Sequence, residues 1–262
     1  MNKSQVLAIT VSLILFAGLY FGFDTKPVNH QTVERSRAVQ GESTSFESLL
    51  EKAQAQLGPE QSEQIRSLEQ KLQGTAEQGE KIALMKQLSG LWYRFGHLPV
   101  AGVLAERVAE VENADSSWSV AGATFFNGLM RAQDAAERQY CAEHAVIAFE
   151  SAASLAPDKP EHRVNLALVW AENPPPNNPM QAVTMLRDLE SKYPEAPSVY
   201  NALGRLAIKT GQWQRAIDRL EKAHSLEPNN PNTPCLLAQA YEGAGNKEKA
   251  TEFANKCGKT RQ

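Results

Sequence analysis

The sequence predicts an all-α protein: a solenoid of about five stacked helix pairs, preceded by a helical hairpin and an N-terminal apolar helix. Three observations carry that expectation. An alanine returns at Ala101, Ala145, Ala182, Ala216 and Ala250, at intervals of 44, 37, 34 and 34 residues. A fixed period of that size means stacked copies of one supersecondary unit. Pro157, Pro194 and Pro228 each follow one of these alanines by twelve residues, as punctuation between units. The composition favours helix, with abundant Ala, Leu, Glu, Gln and Lys and only 7% aromatic residues. No useful stretch alternates with period two, so strands are not expected.

The chain opens differently. Ser4 to Phe23 is a run of twenty uncharged residues with apolar side chains on every side. At about 1.5 Å per residue it is long enough to cross a hydrocarbon core of roughly 30 Å. Residues 1–24 therefore read as an uncleaved transmembrane anchor; a cleaved signal peptide and a buried core helix are the alternatives. Leu19-Tyr20-Phe21-Gly22-Phe23 offers bulky residues where a signal peptidase needs small ones. Lys3 on one flank and Lys26 on the other leave the positive-inside bias weak. The short N-terminal tail favours a cytoplasmic start, with the rest of the chain outside. Residues 25–42 are polar and aperiodic and read as a flexible tether.

Helical signals begin at Thr44-x-x-Glu47, a capping-box pattern, and continue through Phe46, Leu49, Leu50, Ala53 and Leu57. Gly58-Pro59 ends that helix and starts another, with Ile65, Leu68 and Leu72 as its stripe and Gly74 at its end. Thr75-x-x-Gln78 is expected to cap the helix that follows. Residues 43–81 thus form a helical hairpin with a narrow apolar stripe, suited to covering the open end of a repeat array. A short coiled coil for homo-oligomerisation is the alternative, although the heptads it needs are absent.

From residue 82 the copies align at 82–115, 116–159, 160–196, 197–230 and 231–262. The clearest carries Tyr200, Leu203, Gly204, Gly211, Trp213, Ala216, Leu220, Ala223 and Pro228. The last has Leu237, Ala238, Tyr241, Gly245, Ala250 and Ala254, and the first has Leu88, Ser89, Trp92, Gly96, Ala101 and Ala105. This pattern resembles the tetratricopeptide repeat, in which each unit is a pair of antiparallel helices. The resemblance implies a right-handed α-solenoid. Small residues such as Gly204, Ala216 and Ala223 belong where two helices cross closely, and larger ones such as Leu203 and Leu220 fill the layer between.

The departures are as telling as the matches. Asn113 stands where the first copy should close with proline, and Ala207 replaces an aromatic. About ten extra residues around 131–141 extend the helices of the second copy or form a protruding turn. The third copy holds four prolines within 173–179, which force a stiff, extended loop. That loop reads as a tolerated insertion, with partner contact as the alternative.

The same resemblance places the first helix of each pair along a concave groove where a peptide would lie. Carried over by spacing, the groove residues are Lys86, Gly90, Tyr93, Val120, Thr124 and Asn127, then Val164, Leu168, Asn201, Arg205 and Ile208, then Cys235, Gln239 and Glu242. Chaperone-type members use a Lys, Asn and Arg clamp for a terminal carboxylate. Here Lys86 fits one element, but Gly90 and Ala121 replace the two asparagines, so chaperone-tail binding is not expected.

Catalytic patterns are missing. No HExxH, CxxC, GxSxG or phosphate-loop motif occurs, so neither an enzyme nor a cofactor is expected. Cys141-x-x-His144 offers two ligand types on one helical face, too few for zinc. The formal charge of −3 argues against nucleic acid. Cys235 and Cys257 fall on the two helices of the last unit and read as packing residues. A disulfide is the alternative if the domain lies outside the cytoplasm. The expectation is a non-enzymatic adaptor of the bacterial inner membrane, its repeats in the periplasm, holding a protein or peptide partner. An assembly factor for c-type cytochromes or exported polypeptides is a more specific alternative, and a homo-oligomerising structural role is another.

Overall fold

A computed structural model describes residues 45–259, and the apolar segment and tether lie outside them. Among the described residues, twelve α-helices follow one another and no strand occurs. No helix among them is long and apolar enough to cross a membrane.

The first two helices are α1 (Phe46–Ala55) and α2 (Pro59–Gly74). Five pairs follow: α3 (Gln78–Arg94) with α4 (Leu98–Glu112), α5 (Asp115–Arg131) with α6 (Ala135–Leu155), and α7 (Pro160–Glu172) with α8 (Gln181–Lys192). Then come α9 (Pro197–Lys209) with α10 (Trp213–Leu226), and α11 (Thr233–Gly243) with α12 (Lys247–Lys259). Each helix packs on its successor within a pair, and each pair packs on the next.

The caps differ from the sequence expectation by a residue or two. Ser45, rather than Thr44, accepts the backbone N–H of Ser48 at 3.2 Å and opens α1. Glu77 opens α3, taking the N–H groups of Gly79 and Glu80, while Thr75 donates its hydroxyl to Glu80. A carboxylate at the positive end of a helix is the stronger acceptor, which is why Glu77 displaces the threonine. Gly58 and Pro59 stand at the start of α2, where Gln61 accepts the N–H of Gly58 at 2.9 Å.

Ile65 is buried at the start of the array, with Leu57, Leu68 and Leu72 against Leu88, Leu91 and Trp92. On α1, Phe46 lies under the Arg107 guanidinium, 5.2 Å from the ring centroid, and Lys52 reaches Glu137 of α6 at 3.7 Å. The hairpin therefore touches both the first pair and the long helix of the second.

The periodic alanines sit at the helix crossings. Ala101, Ala145 and Ala216 have no exposed surface, and Ala182 has almost none. A Cβ on Gly204 would lie 2.5 Å from Cγ of Leu220, and one on Gly122 would lie 2.8 Å from the Phe149 ring. Those contacts are shorter than side chains tolerate, so at Gly204 and Gly122 any larger residue would displace Leu220 or Phe149. Gly211, in the turn between α9 and α10, has φ of 69°, which glycine adopts without strain. Asn113 closes α4 in the left-handed region at φ 47°, a conformation asparagine tolerates. That explains how the first pair ends without its proline.

Both insertions resolve differently from one another. The extra residues of the second pair lengthen its helices to 17 and 21 residues, leaving only 132–134 as the turn. Asp134 caps α6 by accepting the N–H of Ala136 at 3.0 Å. The proline-rich stretch is not extended, contrary to expectation. It folds into consecutive turns closed by Asn178 N–H to Pro175 O at 3.0 Å and Gln181 N–H to Asn178 O at 3.1 Å. Proline fits the first corner of a turn as readily as an extended strand, and the asparagines favour the turn.

Cys235 and Cys257 are joined by a disulfide, with their Cα atoms 4.9 Å apart. Their reading as packing residues is overturned. The spacing alone could not reveal the register that brings α11 and α12 face to face at that point. Cys141 is free and buried, its thiol pushed up to about 12 by burial, and is inert. His144 pairs with Glu106 at 2.8 Å.

Candidate functional site

The first helices of successive pairs do not stack evenly. α5, α7, α9 and α11 pack closely in succession, whereas α3 and α5 do not approach one another in this way. The separation opens a cavity of about 880 Å³. Its α3 wall is Lys86, Ser89, Gly90 and Tyr93; Ala105, Val108 and Glu112 of α4 form the floor; Ser117, Val120 and Thr124 of α5 face α3. Small residues on two walls leave the space, and Gly90 has nothing within 4 Å of where a Cβ would be.

The cavity is apolar with a polar rim. Val120 is 60% exposed and Tyr93 37%, high values for apolar side chains on helices otherwise packed into the array. Lys86 donates to Glu112 at 2.6 Å, and Ser117 also donates to that carboxylate. The Lys86 and Ser117 bonds hold the Glu112 carboxyl below its ordinary range. Both charges at this end are thus committed to one another. Asn127 donates to the Tyr93 hydroxyl oxygen at 3.4 Å, linking α5 to α3 farther along.

A second, smaller cavity of about 330 Å³ lies toward the C-terminus. Glu172 of α7, Arg205 and Lys209 of α9, and Leu236 and Gln239 of α11 line it. Lys209 pairs with Glu172 at 2.8 Å and also donates to the Ala171 carbonyl at 2.9 Å. Arg205 extends to α5 and lies over the Phe126 ring, 5.9 Å from its centroid.

The residues expected from spacing divide into three groups. Lys86, Tyr93 and Thr124 line the larger cavity, although the Thr124 hydroxyl is used by the Val120 carbonyl at 2.8 Å. Arg205 and Gln239 line the smaller one. Asn127, Asn201, Leu168 and Glu242 line neither. Asn127 serves the Tyr93 contact, Asn201 accepts from the Thr233 hydroxyl at 3.0 Å, Leu168 packs half-buried against the α8 and α9 core, and Glu242 is exposed. Val164 is buried in that same core rather than facing the groove, and Cys235 is consumed by the disulfide.

Spacing missed the floor. Ala105, Val108 and Glu112 belong to a second helix, and they face the cavity only because α3 stands away from α5. The signal was available in Ser89-Gly90, a small pair where a helix contact would otherwise need bulk.

Residues 207–259 match the family model for the tetratricopeptide repeat. No curated protein matches the chain. Among solved structures, a thermophilic tetratricopeptide-repeat protein of Thermus thermophilus is 16% identical, with a TM-score of 0.52 over 68% of this chain and 91% of the other. PilW, a type IV pilus biogenesis factor, is 19% identical with a TM-score of 0.46, covering 71% of this chain and 79% of its own. MamA from Desulfovibrio magneticus is 18% identical with a TM-score of 0.42, covering 71% and 97%. The Thermus structure shares the fold of stacked helix pairs. That likeness shows the fold alone, and the family match shows the tetratricopeptide repeat over residues 207–259.

Proposed function

We propose that the protein is a non-enzymatic adaptor that holds an extended segment of a protein partner in the groove between α3 and α5. One observation carries the reading: the roughly 880 Å³ cavity with Val120 and Tyr93 left exposed above a floor of Ala105, Val108 and Glu112. Apolar surface kept open in this way marks an interaction site. Its chemistry suits a side chain docked from outside, since its charged groups already satisfy each other.

The adaptor is anchored in the bacterial inner membrane by residues 1–24, with the repeats on the periplasmic side. The apolar run from Ser4 to Phe23 supports the anchor. The Cys235–Cys257 disulfide supports an oxidising compartment, where such bonds persist. Anchoring confines the search for a partner to the membrane surface and raises its effective concentration.

The test uses the full chain in cells, with a photo-crosslinking amino acid at Val120. Crosslinks to another protein are expected, and Gly90→Leu should abolish them. A Cβ at this position meets nothing within 4 Å and the substitution improves helix propensity by about 1 kcal/mol, and an unchanged helical circular-dichroism signal and melting temperature would separate loss of crosslinking from unfolding. Crosslinks unchanged by Gly90→Leu would remove the groove from the mechanism. For topology, an alkaline phosphatase fused after Gln262 should be active, and an inactive fusion would reverse the placement.

A further inference from the structure

α1 is attached to the array in a way that no other described helix is. Each helix from α2 to α11 packs closely on the one that follows it, whereas α1 passes over α2 and packs on α4. The connection explains the difference. Only residues 56–58 join α1 to α2, and Gly58, standing before Pro59, is extended at φ −70° and ψ 165°. That conformation carries α1 away from α2 instead of folding it back.

The resulting contact has the anatomy of an interface between molecules, with apolar anchors and a charged rim. α1 runs antiparallel to α4. Phe46 lies under Arg107 near the end of α4, and Lys52, Ala53 and Gln56 share a cavity with Gly96, His97 and Val100 at its start. Leu49 and Ala53 are the buried residues of α1. Lys52 forms the rim, 3.7 Å from Glu137 and 4.0 Å from Asp134. The cavity beside it measures about 420 Å³, so this seam is not filled as a core is.

Such a helix is held by its seat rather than by itself. α1 has ten residues, and isolated helices shorter than about 12 residues are marginal in water. Two buried side chains and an exposed ionic rim make its release a low-energy local opening. Release leaves a vacant seat on α4 and α6, and the occupant whose fit the structure shows is α1. A second copy offers the same helix, with the same anchors and the same charges.

We infer that two copies of the chain exchange α1, each laying its helix on α4 and α6 of the other. The exchange is reciprocal, so it closes as a two-fold dimer with no unsatisfied end. A three-residue hinge favours it, since Gly58 is already extended. The dimer carries two grooves on one assembly, so a partner with two binding segments is held at both. The exchange itself uses none of the groove residues, so it and the groove reading can fail separately.

The experiment uses the purified full chain in detergent, in two versions of different size. One carries Lys52→Cys and the other Gln133→Cys, at positions that line the same cavity. The native cysteines are silent, because Cys141 is buried and Cys235 is joined to Cys257. The versions are mixed, incubated, treated with a short bismaleimide and separated by denaturing electrophoresis. Exchange predicts a crosslinked mixed dimer. Adding Phe46→Ala to the version with Lys52→Cys should remove most of it. Replacing Gln133→Cys by Leu155→Cys, at the far end of α6, should give none.

A bridge that forms only within single chains carrying both Lys52→Cys and Gln133→Cys would overturn the inference, leaving α1 fixed on its own copy. A mixed dimer that forms equally with Leu155→Cys, or that Phe46→Ala leaves unchanged, would report collision and overturn it as well. Loss of the Val120 crosslinks with the mixed dimer intact would remove the groove reading alone.

Discussion

The second and last helix pairs are built from the same repeat and are held together differently. In the α5/α6 pair, Phe125, Leu129, Cys141 and Phe149 are essentially without exposed surface and interlock across glycine crossings. In the α11/α12 pair, the side-chain burial of α12 comes chiefly from Phe253, stacked on Tyr241 with ring centroids 5.7 Å apart. Among the described residues this pair has one neighbouring pair instead of two, so it buries less. The disulfide closes that deficit by a covalent route. The comparison teaches that sequence regularity and packing density are separate properties. The family model matches the lightly packed end, 207–259, while the densest pair has the most irregular spacing.

Three perturbations sharpen this contrast. The largest effect is expected from Phe149→Ala, which empties the centre of the second pair at a cost of about 3–5 kcal/mol. Chemical denaturation of the full chain should show a cooperative loss spread across several repeats. A midpoint shift below 1 kcal/mol would mean that the pair is not the packing centre.

Next comes the covalent end. Closing a loop across a separation of 22 residues is worth about 3 kcal/mol in the chain-entropy description. Cys257→Ser should therefore accelerate amide exchange in α12 and leave α5 and α6 protected. Equal protection of α12 with and without the bond would show that Phe253 and its neighbours suffice.

The smallest effect is expected at Glu150 on α6, where burial raises the carboxyl above its ordinary range. A raised carboxyl favours the folded state while protonated, and that contribution is lost as pH rises through the folded value. Glu150→Gln should therefore raise Tm at neutral pH by less than either loss above. The gain should disappear in acid. A gain that persists below the ordinary carboxylate range would point to a cause other than ionisation.

The architecture was largely legible because its determinants are local and periodic. Ala101, Ala145 and Ala216 mark crossings, Gly211 marks a left-handed turn, and Gly58-Pro59 marks a boundary, each through a property of the residue itself. What escaped depends on how distant helices are set. Glu112 reaches the groove from a second helix because α3 stands off from α5, and no spacing rule contains that displacement. Leu168 and Asn201 occupy groove positions by count but are taken up by neighbouring repeats. The Cys235–Cys257 bond needed the register of two helices, which the interval of 22 residues leaves undetermined. The proline-rich loop misled because four prolines suggest extension, while Asn177 and Asn178 turn the chain.

The over-long pair has a mechanical consequence. Helix arrays bend like springs when neighbouring units tilt against each other. At its N-terminal end, α6 is tied backward to α1 through Lys52 and Glu137. It is tied forward by Arg138, which donates to the Glu172 carbonyl at 3.4 Å, and by Gln139, which accepts from Asn173 at 3.3 Å. A rod fastened to the elements before and after it acts as a splint. The start of α6 is thereby the one stretch of that helix fastened by side chains both to the hairpin before it and to the end of α7 after it.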